Sequence, residues 1–386
     1  AESKKYFEKI KELADKDDGS ADSGLGWISW SEIDLDKSQE HFKQALNLNP
    51  DNPRYLIALG WVHHVLNTEG NGFNEFSKAV SIDPNLAEAH HALGWAYRKK
   101  GDLEASLKSF NKALELNPRY PKAHNAIAWW YYKVKADYNK SLEEFNKALS
   151  LNPELSEAHT GLGLLYFDIG QYQQSINHFN ITMSFEDEYL PDALDGIGFD
   201  YYALDSLEES EKYFKKLLEL KEGYGPEAKA RGYNGLGWVK YKLGEYQNAI
   251  VNFDEAIRLN PQLIRSFYGA GWSYFYNKDY KKSEQYFLDA MNYELTDSKY
   301  LGNSNQGLGW VYYEQKMFDK SRKEFEDAIA KNPKFATAAY LGLAQLSFDE
   351  GKFDEARNYM KEVIPKINSF REVIYERALK LKAQLY

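Results

Sequence analysis

Apolar and small residues recur along this chain at helical spacing, in short blocks parted by polar turns, and the blocks themselves repeat. In one block Leu93, Gly94, Tyr97, Leu107, Phe110, Ala113 and Leu116 carry the pattern, which breaks at Lys100-Gly101-Asp102. Glycine there ends one helix and aspartate opens the next, so the block predicts two short helices joined by a turn. A tetrad marks each return of the block. It begins at Gly24 (GLGW), Ala58 (ALGW), Ala92 (ALGW), Ala126 (AIAW), Gly161 (GLGL), Gly196 (GIGF), Gly235 (GLGW), Gly269 (GAGW), Gly307 (GLGW) and Gly342 (GLAQ), with 34 to 39 residues between successive starts. A period of this length is the signature of stacked repeats.

Further positions keep register with the tetrad. Thirteen residues after its second residue stands a small one: Ser38, Gly72, Ser106, Ser175, Ser210, Ala249, Ser283, Ser321 or Ala356, with Ser141 displaced by one. Seventeen after it stands Phe42, Phe76, Phe110, Phe179, Phe214, Phe253, Phe287, Phe325 or Met360, with Phe145 likewise displaced. Small residues on both helices let the backbones approach, and the phenylalanine fills the space beyond. The second helix stops at an Asn-Pro or Asp-Pro step at Pro50, Pro84, Pro118, Pro153, Pro261 and Pro333, because proline disfavours a helical residue before it.

On these residues the chain resembles the tetratricopeptide repeat family, whose Leu-Gly, Tyr, Gly, Ala, Phe/Tyr, Ala and Pro pattern the units follow over nearly the whole length. The resemblance implies an all-α, right-handed superhelical solenoid of about ten helix-turn-helix repeats, with a concave groove lined by the first helices. The expected limits are 1–18 for the second helix of an incomplete repeat, then 19–52, 53–86, 87–120, 121–155, 156–190, 191–229, 230–263, 264–301, 302–336 and 337–365, and a C-terminal capping helix over 366–386. Ser3, Phe7 and Ile10 match the sites of a second helix, so the natural chain is expected to continue upstream of Ala1. Phe370, Ile374, Ala378 and Leu381 form the apolar stripe of the cap.

Two repeats are longer than the rest, around Gly223-Tyr-Gly-Pro-Glu and around Asp297 to Asn303. A longer loop is the simpler reading; a first helix extended by about one turn is the other. Repeats five and six are expected to be the weakest, with a hinge or a change of curvature near Phe185 to Asp195, because Leu164 and Phe199 replace tryptophan there and Thr182 and Leu217 replace alanine.

What distinguishes this chain is the fourth tetrad residue. Seven of its nine tryptophans occupy that one site. Trp27, Trp61, Trp95, Trp129, Phe199, Trp238, Trp272 and Trp310 therefore form a row, flanked on the same helical stripe by residues four before, such as His91, Asn125 and Asn234, and three after, such as Tyr132, Tyr241 and Tyr313. By the resemblance this row lines the groove and is the candidate binding site. The bland alternative is that each indole packs on the first helix of the next repeat and forms an inner wall. The family's carboxylate clamp places Asn with Lys or Arg at the tryptophan site and four before it; no Lys or Arg stands there.

The expected function is a non-enzymatic scaffold that holds a peptide or protein segment, since aromatic anchors dominate such interfaces. The alternative is a polysaccharide bound by stacking on the tryptophan row. Charge narrows the partners: 48 Lys plus Arg against 58 Asp plus Glu give −10, which argues against nucleic acid. No apolar run is long enough for membrane insertion. Cysteine is absent, which removes disulfides and thiolate metal sites and, with the start at Ala rather than Met, leans an otherwise unknown compartment towards export or the periplasm. No cofactor or catalytic residue is expected: the tetrad glycines lie inside helices and not on a phosphate-binding loop. His90, His124 and His159 recur two before the tetrad as a packing site, so the neighbouring pairs His63-His64 and His90-His91 are weak metal candidates.

Overall fold

The computed structural model describes residues 2–13, 18–68, 70, 72–185, 188–294, 302–334, 336–369 and 372–386. Its described residues form an all-α repeat solenoid without strands. Helices come in successive pairs: Ser20–Ser31 with Leu35–Leu48, Pro53–Val65 with Phe73–Ile82, Ala87–Lys99 with Leu103–Leu116, Pro121–Trp130 with Tyr138–Leu151, and Ser156–Asp168 with Tyr172–Met183. The series continues with Leu190–Ala203 and Leu207–Leu218, Gly225–Lys242 and Tyr246–Leu259, Ile264–Tyr276 and Tyr280–Glu294, Asn303–Glu314 and Phe318–Lys331, and Thr337–Asp349 and Phe353–Val363. Glu2–Leu13 precedes them and Glu372–Leu385 follows. Contacts group the chain into two units, 1–213 with 221–225, and 214–220 with 226–386.

Local chemistry sets the ends of these helices. Asp34, Asp102 and Asp137 each accept a hydrogen bond from the backbone N–H three residues on, at 3.0 to 3.2 Å, which satisfies one of the amides a helix start leaves unpaired. At the other end Asn117, Asn152 and Asn260 adopt extended backbone before proline. Each then accepts from the amide two residues later, an Asx turn. The histidines two before the tetrad complete that corner. His90, His124 and His159 place Nε2 2.9 to 3.2 Å from the carbonyls of Pro84, Pro118 and Pro153, so their recurrence is structural.

The tetrad glycines explain how the pairs stack. A Cβ built on the third tetrad residue at Gly163, Gly237, Gly271 or Gly309 would lie 2.4 to 2.8 Å from the ring of Phe179, Phe253, Phe287 or Phe325 on the partner helix. A Cβ on the first residue of the next tetrad, Gly196, Gly269, Gly307 or Gly342, would meet the same rings at 2.2 to 2.5 Å. Each phenylalanine is thus gripped between two helix backbones, and each is fully buried. The small residue of the second helix adds a tie that its size alone did not reveal. Ser38, Ser141, Ser175, Ser210, Ser283 and Ser321 donate from Oγ to the carbonyl of the third tetrad residue at 2.7 to 3.0 Å.

Length changes are absorbed in two ways. The extra residue of the fourth repeat makes a π-helical turn, Tyr131–Lys135, closed by Ala136 at φ 51°, which accounts for the one-residue displacement of Ser141 and Phe145. In the seventh repeat the insertion is helix and not the longer loop that the simpler reading favoured. Gly225–Lys242 spans 18 residues where its neighbours span 13 or 14, preceded by a 3₁₀ turn at Glu222–Tyr224. Most of the other insertion, around Asp297 to Asn303, falls on residues outside those described, as do parts of the expected hinge at 186–187 and the side chains of Ile10, Phe370 and Ile374.

Candidate functional site

The tryptophan row sits where each first helix meets its own second helix. Trp27, Trp61, Trp95, Trp129, Trp238, Trp272 and Trp310 pack on Phe42, Phe76, Phe110, Phe145, Phe253, Phe287 and Phe325, with centroids 5.2 to 5.8 Å apart and planes inclined at 59 to 88°. Each indole thus packs within its own hairpin, and Trp61, Trp95, Trp129 and Trp238 also border clusters that include the next repeat's first helix. Of the row, Trp61 also meets a ring of the next repeat, that of His91. Tilted contacts of this kind match the positive edge of one ring to the negative face of the other.

The stripe spacing places the third-neighbour side chains against the indoles. Trp30, His64, Tyr132, Tyr241, Phe275 and Tyr313 lie 5.4 to 6.0 Å from Trp27, Trp61, Trp129, Trp238, Trp272 and Trp310, and Phe199 meets Tyr202 in the same way. Burial along the row is graded. Trp27 is 46% exposed, Trp310 only 1%, and Phe199 is buried. The remaining indoles are half-buried, as are Tyr241 and Tyr313, whereas His91, Asn125, Asn234 and Tyr132 are buried. Successive first helices join through this stripe: the Tyr132 hydroxyl donates to Asp168 at 2.7 Å, Ser266 Oγ to Asn234 at 3.1 Å, and the Tyr313 hydroxyl to Asp349 at 2.7 Å.

In the first unit the stripe becomes polar. Burial pushes His91 down to about 3, with the charge of Lys122 acting in the same direction. A neutral ring lets Nε2 accept from Trp95 Nε1 at 3.1 Å, which puts its proton on Nδ1. Burial also drives Glu157 up to about 7, against the amide of Asn125 and the charges of Lys122 and Arg98. Neither amide atom of Asn125 reaches hydrogen-bond geometry with a protein group, and Trp129 Nε1 is likewise buried without one. Buried polar groups are ordinarily satisfied, so the Trp129 Nε1 donor is spare, whereas the Asn125 amide lies beside Glu157 and holds its pKa down.

Cations stand over three of the indoles, and of these sequence reasoning missed two. The Arg98 guanidinium stands 4.9 Å from the Trp95 ring centre, Lys133 Nζ 5.8 Å from Trp129 and 4.4 Å from Tyr132, and Arg377 5.0 Å from Trp310. Arg98 was on the stripe and readable; Lys133 depends on the π turn and Arg377 on a helix from elsewhere in the chain. Asp168 and Asp349 were also readable, each four residues past a tetrad that ends without tryptophan, Leu164 and Gln345. Among the described residues no cluster of three or more His, Asp or Glu side chains suits a metal ion. No described helix is long and apolar enough to cross a membrane.

Paired helices, a glycine-gripped phenylalanine and an aromatic first-helix face define a helical-repeat scaffold. Family comparison makes the assignment specific: tetratricopeptide repeat models match residues 24–52, 75–108, 94–135, 189–262 and 312–385, together more than half the chain, and the chain belongs to that family. No curated protein sequence matched it. Among solved structures it is similar to an IFIT1 monomeric mutant with Gppp-AAAA, at 16% identity and TM-score 0.59, covering 94% of each chain. The human IFIT1 dimer with m7Gppp-AAAA is 17% identical, with TM-score 0.55, covering 99% of this chain and 94% of that one. A tetratricopeptide repeat protein from Parabacteroides merdae is 18% identical, with TM-score 0.46, covering 66% and 98%. At these identities the likeness is one of fold alone.

Proposed function

We propose that this protein is a non-enzymatic scaffold that holds an extended peptide or protein segment along the aromatic face of its first helices. The family's fold is one that commonly serves protein interaction, and the finer reading rests on the row of indoles. Equivalent rings at one site of seven repeats, with a Tyr–Asp hydrogen bond between first helices in the first unit and a Ser–Asn one in the second, offer an aromatic face in each unit, with graded exposure and an unused donor at Trp129. Aromatic side chains at such surfaces each contribute roughly 2 kcal/mol or more. The cations argue for a peptide over a sugar. Stacking a sugar needs an open ring face, and Arg98, Lys133 and Arg377 stand over the faces of Trp95, Trp129 and Trp310.

Tryptophan-fluorescence titration of the full chain against a peptide library and against oligosaccharides separates the readings. The expected outcome is saturable binding of a peptide class that Trp61→Ala or Trp95→Ala weakens at least about tenfold, with sugars silent. Saturable quenching by an oligosaccharide, abolished in Trp95→Ala and Trp129→Ala while peptides stay silent, would overturn it in favour of glycan binding. No response to either class, with Trp95→Ala costing several kcal/mol of stability, would make the row an internal wall.

A further inference from the structure

Trp310 is the most buried indole of the row, and one of the groups that cover it lies outside its own repeat. Arg377, on the C-terminal helix Glu372–Leu385, lays its guanidinium 5.0 Å from the Trp310 ring centre and 5.4 Å from that of Tyr313. Its Nη2 donates to Glu314 Oε1 at 2.6 Å. Tyr280 stands close enough to feel the charges of both Glu314 and Arg377. The Tyr313 ring is fixed by its hydroxyl bond to Asp349 at 2.7 Å. Two aromatic faces and a carboxylate in donor reach match a planar cation with several N–H groups, a guanidinium better than an ammonium.

The anchoring of the C-terminal helix is separate from this contact. Ala378, Leu381 and Leu385 are buried, Arg357 Nε donates to the Leu385 carbonyl at 3.0 Å, and the Tyr386 hydroxyl donates to the Arg357 carbonyl at 3.3 Å. Those groups hold the helix to the tenth hairpin, while Arg377 reaches back to the ninth. We infer that Trp310, Tyr313 and Glu314 form a binding site for an arginine side chain of the partner segment, and that Arg377 occupies this site in the free protein. The C-terminal helix is then a built-in competitor, and the partner carries a basic residue. The −10 charge of the chain complements such a segment. Arg98 over Trp95 repeats the same pairing within the first unit, at 4.9 Å. The inference rests on the first-helix face being the binding face.

The probe is a short capped peptide with one arginine between glycines, beside its citrulline counterpart, which keeps the shape and loses the charge. Both are titrated by tryptophan fluorescence into the full chain and into Arg377→Ala. The expected result is that Arg377→Ala binds the arginine probe at least tenfold more tightly than wild type, that the citrulline probe shows no such gain, and that adding Glu314→Gln removes it. Arg377→Met, which keeps the stem against the rings, gives an intermediate gain, and hydrogen exchange over 372–385 reports whether the helix itself has loosened. A gain below tenfold, or one shared by citrulline or insensitive to Glu314→Gln, overturns the inference. If that happens while library peptides still bind in a manner that Trp61→Ala weakens, the arginine site alone falls; if those also fail, the scaffold reading falls with it.

Discussion

A phenylalanine ring held between two glycines is the residue-scale unit of this molecule. Phe253 fills the space that Gly237 and Gly269 leave, and a methyl group on Gly269 would sit 2.2 Å from its ring. Gly269→Ala is therefore expected to cost about 1–3 kcal/mol by overpacking, read as a shifted denaturant midpoint at unchanged slope. Asp200 gives a pH effect at the same scale. Ser175 Oγ lies 2.8 Å from the Gly163 carbonyl and 2.7 Å from Asp200 Oδ2, so its one proton is shared between two acceptors. Burial pushes Asp200 up to about 7, against the Ser175 bond. The folded chain then holds a proton that the unfolded chain, near 3.8, has lost. The contribution to stability is complete below about pH 4 and gone once pH has risen past about 7. Asp200→Asn keeps an acceptor for Ser175 without the buried charge and is expected to raise stability at pH 8 by about 1 kcal/mol or more, with the pH slope between 4 and 7 flattened in thermal melts.

At the scale of elements, a left-handed residue turns each pair of helices, and in the second pair Gly70 and Gly72 join Asn67 in that conformation. Gly101, Gly170, Gly244 and Gly351 serve in four of the turns, and Ile33, Asn67, Ala136, Asp205, Lys278 and Lys316 take φ of 51 to 63° in the others. A side chain costs about 1–2 kcal/mol there, partly offset by glycine's greater freedom when unfolded. Lys316→Gly is accordingly expected to stabilise by about 0.5–1 kcal/mol in chemical denaturation. Much of this level was legible in the sequence. The tetrad, the Asn-Pro stops and the Phe register follow from one period, and the displaced Ser141 and Phe145 already flagged the fourth repeat. What was not legible depends on backbone placement: a π turn at Tyr131–Lys135 and an 18-residue first helix at Gly225–Lys242 fit the same residue types as a loop. Likewise the serines read as small, because only the structure puts a carbonyl within reach of Oγ.

For the whole molecule, stability in a repeat array is close to a sum of local and nearest-neighbour contributions. A chain of residues 1–225 is expected to fold and to keep its helical circular dichroism, since nearly all of it lies in one contact unit; a chain that stays unfolded would show that its interior contacts do not suffice. The candidate site was half legible at this scale. Spacing alone put Trp95 beside Arg98 and Trp129 beside Tyr132, whereas the cation over Trp310 comes from residue 377, which no local pattern connects to it.

The gradient of burial along the indoles has an optical consequence. Trp27, nearly half in water, should emit to the red and be quenched readily by acrylamide, while Trp310, with 1% of its surface exposed, should emit to the blue and resist it. The chain thus carries its own position-coded dyes, and the wavelength at which a bound guest perturbs them tells which repeats it touches.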